Sequence, residues 1–336
     1  MATLDQHEMY ALSDIGRDRP NNEDQFLLEN ISGWTVAAVA DGMGGAAGGE
    51  VASWLAVDTI RRLVHKNANR LPIEEVMEDC LLMAHERIRK RGETAFGNLN
   101  MGTTLTFVTI PADKDPQAPV RQVFLGHVGD SRLYLLDREG VRQATRDHSM
   151  TQHLLDSGVL TPQTAQKFRY RNVIYKSLGG SRELDLDPVE TLNVPRGSIL
   201  LLCSDGLSNY LDGMEMWRIV HNCRSLPAAA RSMVELALSR GGADNITVAL
   251  VAVGTPLYTS SRPKSPCPGS TLLPAHLRRR WLIAALTTLL VFLVAALVFV
   301  WTRQGDDGAT HSRSAESPDN QVSALISGFD FPNGEC

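Results

Sequence analysis

Between Trp281 and Trp301 the chain runs 21 residues without a charge, rich in Leu, Val, Ala and Ile, and no other feature divides the sequence so sharply. As a helix rising 1.5 Å per residue it would cover about 30 Å, the hydrocarbon thickness of a bilayer, with a tryptophan at each interface. The pattern predicts one transmembrane helix over 281–301, embedded in lipid. Arg278, Arg279 and Arg280 precede it, whereas residues 302–336 carry Arg303 and Arg313 against six acidic residues. The positive-inside rule then puts the N-terminal side in the cytoplasm. Residues 255–280 contain five prolines and no apolar period, and read as a Pro-rich basic linker. That leaves 1–254 as a cytoplasmic folded domain and 302–336 as a short polar extracytoplasmic tail. Met1–Tyr10 has neither the basic start nor the apolar stretch of a secretory signal.

The first 254 residues are ample for one sizeable core. Over the whole chain 43% of residues are hydrophobic and 21% charged, ordinary values for a folded protein. The net charge of −5, with no Lys/Arg-rich run ahead of the linker, provides no footprint for a nucleic-acid backbone. The five cysteines are widely spaced, with no CxxC pair, which argues for a reducing compartment and against a structural zinc.

Apolar, β-rich runs at Thr35–Ala40, Thr103–Ile110, Val123–Val128, Arg132–Leu136, Ser198–Ser204 and Ile246–Val253 predict strands. Two amphipathic patterns, Ala52–Leu63 and Ile73–Ile88, repeat at helical spacing. Most later strands follow one another without a helical crossover, so antiparallel pairing and an α+β domain are expected.

Asp41, Asp130, Asp205 and Asp244 each stand at the end of an apolar strand beside small residues. One such Asp is an ordinary turn former; four in one domain can meet at a point. Clustered carboxylates repel unless they share protons or bind a cation, and an oxygen-only ligand set suits Mg2+ or Mn2+. Two such ions close together activate water near neutral pH and stabilise in-line phosphoryl displacement, which makes phosphate-ester hydrolysis the leading chemistry. Ahead of the first predicted strand, Arg19 stands four residues before Glu23, and its guanidinium fork suits phosphate oxygens.

These residues fall within eight ordered motifs: SDIGRDRPNNED, VADGMGGAAGGEVAS, MGTTLTF, GHVGDSRLYLLDREG, ATRDHS, RNVIYKSLGG, LLLCSDGLSNYL and GGADNITVALV. Over roughly residues 8–253 the sequence resembles the bacterial metal-dependent protein serine/threonine phosphatases of the PPM, or type 2C, family. The resemblance implies an antiparallel β-sandwich flanked by helices in four layers. It also implies two Mn2+ or Mg2+ ions and a weaker third, with a metal-bridging water attacking phosphorus directly. Asp41 would bridge the two ions and the Gly42 carbonyl would bind one, while Asp205 and Asp244 hold the other. Glu23 would act through water with Asp24 in support, Asp130 would serve the third ion, and Arg19 would bind the substrate phosphate. Asn209 stands where some relatives carry an acid, so one potential ligand of the third ion carries no charge here, and Met43 stands where eukaryotic relatives carry a histidine acid. Thr151–Lys176 corresponds to a flap whose Lys167, Arg169 and Arg171 could contact substrate.

The implied partners are phosphoserine and phosphothreonine proteins, including a cognate Ser/Thr kinase that the enzyme opposes, at the inner membrane of a bacterial cell. Two alternatives remain open at this point. One is a phosphatase-like regulatory binding module, which the intact Asp41, Gly42, Asp205 and Asp244 disfavour. The other is a hydrolase of small phosphate esters with the same metal centre.

Overall fold

The computed structural model describes residues 7–44, 48–95, 101–112, 115, 117–165, 168, 173–181 and 184–254. The expected linker, membrane helix and tail lie outside them. Among the described residues no helix is long and apolar enough to cross a membrane.

Strands of this chain carry apolar residues on both faces, and two stacked sheets covered by helices satisfy that pattern. The first sheet has five strands in the order β1 (Met9–Asp14), β11 (Ile246–Ala252), β10 (Ile199–Cys203), β7 (Arg132–Leu136) and β8 (Val141–Gln143). The second runs β2 (Asp24–Ile31), β3 (Trp34–Met43), β5 (Leu105–Pro111), β6 (Val120–Val128) and β9 (Glu190–Pro195), with β4 (Gly102–Thr103) added beside β3. Every pairing within them is antiparallel. The expected α+β sandwich is present.

The period-2 alternation of strands sorts side chains into separate layers. In β3, Ala37 and Val39 face the other sheet, while Val36, Ala38 and Ala40 face helices α1 (Gly48–Asn67) and α2 (Ile73–Ala95). In β10, Leu200 and Leu202 point to the facing sheet. On its other side, Ile199, Leu201 and Cys203 meet the helical layer of α5 (Asp205–Ser208), α6 (Gly213–Asn222) and α7 (Leu226–Ser239). Two short helices, α3 (Met150–Asp156) and α4 (Pro162–Ala165), follow β8. Leu202 is wholly buried between the sheets, so Leu202→Ala is expected to cost about 2–5 kcal/mol, read as a lowered melting temperature.

The helical stretch after β3 is two helices, because Pro72 lacks the amide that a continuous helix would need there. Asp58 of α1 fastens the pair by accepting from Arg87 of α2 at 2.8 Å. Cys80 and Cys203 are free and buried.

Candidate metal centre

Strand registers bring the acidic residues to one end of the sandwich. Asp24 opens β2 directly opposite Asp41, near the end of β3. In the other sheet β10 and β11 are antiparallel neighbours, so Asp205, just after β10, and Asp244, just before β11, emerge together. Asp130 lies in the turn where the chain leaves β6 and enters β7, passing from one sheet to the other.

Hydrogen bonds then tie the two sheets across this end. Ser204 Oγ donates to Asp24 Oδ2 at 2.7 Å, joining the end of β10 in one sheet to the start of β2 in the other. Arg19 Nη2 donates to Asp244 Oδ2 at 2.8 Å, while Arg19 Nη1 lies 4.0 Å from Glu23 Oε2. Asn245 Oδ1 accepts the Glu23 amide at 2.8 Å, and Asn245 Nδ2 donates to the carbonyls of Ile15 and Asn21 at 2.8 and 3.0 Å. One amide side chain thus shapes the loop that presents Arg19. Asn209 has no charge to offer; its Nδ2 donates to Asp205 Oδ2 at 3.1 Å.

Asp41 is held from behind by two threonines. Its amide donates to Thr104 Oγ1 at 3.0 Å, and its carbonyl accepts from the Thr104 amide at 2.9 Å and from Thr103 Oγ1 at 2.9 Å. The strand expected over Thr103–Ile110 accordingly breaks at Thr104, whose backbone serves Asp41. Gly42 is required by crowding, since a Cβ there would lie 2.2 Å from the Gly49 carbonyl oxygen and 2.6 Å from that of Glu23.

Burial and mutual repulsion push these carboxyls toward protonation. Asp41 is raised well above the usual range by burial and then by Asp24, Asp205, Asp130 and Asp244. Asp130 rises to about 8 through burial, Asp205 and Asp147, and Asp24 to about 7 chiefly through burial. Asp205 and Glu23 are also raised, burial again being the main cause. Asp24 Oδ1 and Asp205 Oδ1 are buried without a hydrogen-bond partner. Among the described residues no three His, Cys, Asp or Glu side chains are already posed as a ligand set; Asp24, Asp205 and Asp244 instead accept from Ser204, Asn209 and Arg19. A cluster that is all oxygen, costly to ionise unless a cation offsets its charge, and holding spare buried lone pairs fits hard divalent cations.

All the acids and Arg19 expected from the sequence therefore meet here. Ser204, Thr104 and Asn245 were not expected, although Ser204 directly precedes Asp205 and Asn245 directly follows Asp244. His127 is half-buried, and desolvation followed by the neighbouring His148 lowers it to about 4. Its ring nitrogens are engaged by Thr106 Oγ1 at 2.8 Å and the Arg146 carbonyl at 3.1 Å, a structural role. Lys167, Arg169 and Arg171 lie outside the described residues. Beside Asn209 opens a cavity of about 670 Å³, lined by Arg132, Asp147, Gln152, Leu155 and Tyr210 among others.

Comparison with known proteins gives one consistent answer. The family model described as protein phosphatase 2C matches residues 13–239. The protein phosphatase PhpP of Streptococcus pneumoniae is 34% identical over 259 residues, covering 73% of this chain and 97% of PhpP. The serine/threonine phosphatase of S. agalactiae has a structure similar to this one, with a TM-score of 0.67, 30% identity, and coverage of 74% of this chain and 100% of that one. The catalytic domain of the serine/threonine phosphatase PstP, solved in complex with two manganese ions, is similar with a TM-score of 0.63 and 31% identity, over 74% of this chain and 99% of the domain.

Proposed function

Because this chain belongs to the protein phosphatase 2C family and is a protein serine/threonine phosphatase, we propose that its carboxylate cluster holds two Mn2+ or Mg2+ ions, and that it dephosphorylates phosphoserine and phosphothreonine proteins at the cytoplasmic face of a bacterial inner membrane. The observation that carries the metal assignment is the convergence of buried, mutually repelling carboxyls from both sheets, two of them with an unpartnered oxygen. Asp41 and the Gly42 carbonyl would serve one ion, Asp41, Asp205 and Asp244 the other, Glu23 would act through water, and Asp130 would serve a weaker third ion. Bound there, the ions supply a nucleophilic water near neutral pH and positive charge against the transferring phosphoryl group.

The chain's own groups do the rest. Thr103 and Thr104 fix the Asp41 backbone, Ser204 orients Asp24, and Asn245 shapes the Arg19 loop. Arg19, half-exposed at the rim, is placed to grip two phosphate oxygens, and Arg19→Ala is expected to lower kcat/KM roughly 100-fold. Steady-state kinetics on a phosphothreonine peptide check this; an unchanged kcat/KM removes Arg19 from the phosphate site. The cavity beside Asn209 offers space for residues flanking the phosphorylated one.

The uncharged run at 281–301 and the arginines before it support the membrane tether, which would raise the local concentration of membrane-bound substrates such as a cognate kinase. The test uses the full-length chain with Mn2+, Mg2+ or EDTA, supplied in parallel with a phosphothreonine peptide and a small phosphate ester. Metal-dependent release from the peptide supports the proposal. Release from the small ester alone transfers the reading to a small-ester hydrolase, and folded, metal-loaded protein inert on both points to a binding module.

A further inference from the structure

The turn that carries Asp130 is gripped from one side by a single residue. His148 donates its amide to the Gly129 carbonyl at 2.7 Å, and its Nδ1 lies 3.1 Å from the Gly129 amide, which donates to it. Both polar groups of the residue preceding Asp130 are therefore bound by His148. From the other side Gly129, at φ +107°, lies so near Thr104 that a Cβ would sit 2.6 Å from the Thr104 Cβ. Thr104 is the residue that holds the Asp41 backbone. The Gly129 peptide is thus wedged between the holder of Asp41 and the His148 ring.

The acceptor role of Nδ1 requires the ring proton on Nε2. Asp187 supplies the matching acceptor, with Oδ2 at 2.7 Å from Nε2. Lys176 Nζ lies 3.2 Å from both Asp187 oxygens, and the Tyr175 amide donates to the His148 carbonyl at 3.0 Å. Lys176 closes the segment expected to act as a flap. A continuous set of hydrogen bonds runs from the flap's end through Asp187 and His148 to the Asp130 turn.

We propose that His148 is a positioning residue for Asp130, holding the turn so that this carboxylate can serve the weakest metal ion, with Asp187 fixing the tautomer. The inference rests on the reading of Asp130 as a metal-serving residue. Two substitutions separate the two bonds. In His148→Asn, Oδ1 takes the place of Nδ1, so the Gly129 bond is kept and the Asp187 bond lost. In His148→Gln, the terminal amide takes the place of Nε2, so the Asp187 bond is kept and the Gly129 bond lost.

The experiment is Mn2+ binding to the full-length chain by calorimetry, beside hydrogen exchange of the Gly129 amide in metal-free protein, for the parent, both His148 variants and Asp130→Asn. The expected result is that Gln weakens the last Mn2+ to bind about tenfold and speeds Gly129 exchange, while Asn resembles the parent in both. If Asp130→Asn removes that ion and His148→Gln leaves it unchanged, the positioning role is overturned and the Asp130 reading stands. If Asn behaves like Gln, the Gly129 bond is not the cause and the proposal falls. If Asp130→Asn binds Mn2+ as the parent does, the reading of Asp130 fails and takes the proposal with it.

Discussion

Asp205→Asn is expected to lower phosphate release more than about 100-fold while raising the melting temperature of the EDTA-treated protein at pH 8. The activity loss follows from replacing an anionic oxygen donor by a neutral amide, and direct ligands should exceed the 10–100-fold typical of outer-shell partners. The stability gain has a separate origin. Asp205 is buried, its carboxyl is pushed up by burial and by Asp244, and one of its oxygens has no partner. Without metal, ionising it costs free energy that an asparagine does not incur, and the asparagine oxygen can still accept from Asn209 Nδ2. Phosphate-release assays and thermal melts on the same preparations test both halves. A variant that is inactive and less stable in EDTA would mark Asp205 as a structural residue.

The second large effect is on stability against pH. Asp24 and Asp130 have their carboxyls raised to about 7 and about 8, against about 4 for the same groups in an unfolded chain. Between pH 5 and 8 the metal-free folded state therefore holds protons that the unfolded state has released. Stability from these groups is present below the unfolded value and is lost as pH rises through the folded ones. The loss is on the order of several kcal/mol, since each unit of difference corresponds to about 1.4 kcal/mol. Melting in EDTA should fall steadily from pH 5 to 8, and added Mn2+ should raise it far more at pH 8 than at pH 5. A flat metal-free profile would mean that these carboxyls are ionised at little cost and that the cluster is not poised for cations.

How far the fold can be read from sequence depends on where a strand sits. Strands β3, β6, β7, β10 and β11 are interior, buried on both faces, and their apolar runs were legible. The strands that went unread, β1, β2, β8 and β9, are the edges of the two sheets. An edge is covered incompletely, so Met9–Asp14 is half-buried throughout and Glu190–Pro195 is mostly exposed, and neither shows a strong hydrophobic signal. Helix α6 was missed although its Asp212 and Glu215 form a capping box, a signal readable as D-x-x-E.

At the site the acids were legible because charged residues at apolar strand ends are conspicuous. Their holders were not. Ser204, Thr104 and Asn245 are common residue types whose roles depend on partners 180, 63 and 222 positions away. Arg19 and Glu23 have the spacing of a helical pair, yet both lie in a loop, and it is Asn245 from the far end of the domain that shapes it.

The pairing of β1 with β11 sets Met9 opposite Val251, the first strand synthesised against the last. During translation the beginning of the domain must wait for its end, and the loop closed between them is nearly the whole domain, a topology that folds slowly. The carboxylates are divided in the same way, with Glu23, Asp24 and Asp41 made early and Asp205 and Asp244 made late. A nascent chain that ends before Asp205 therefore carries only part of the carboxylate cluster, and its first strand stays unpaired until Ile246–Ala252 is made. Phosphatase activity therefore waits until β11 has been made.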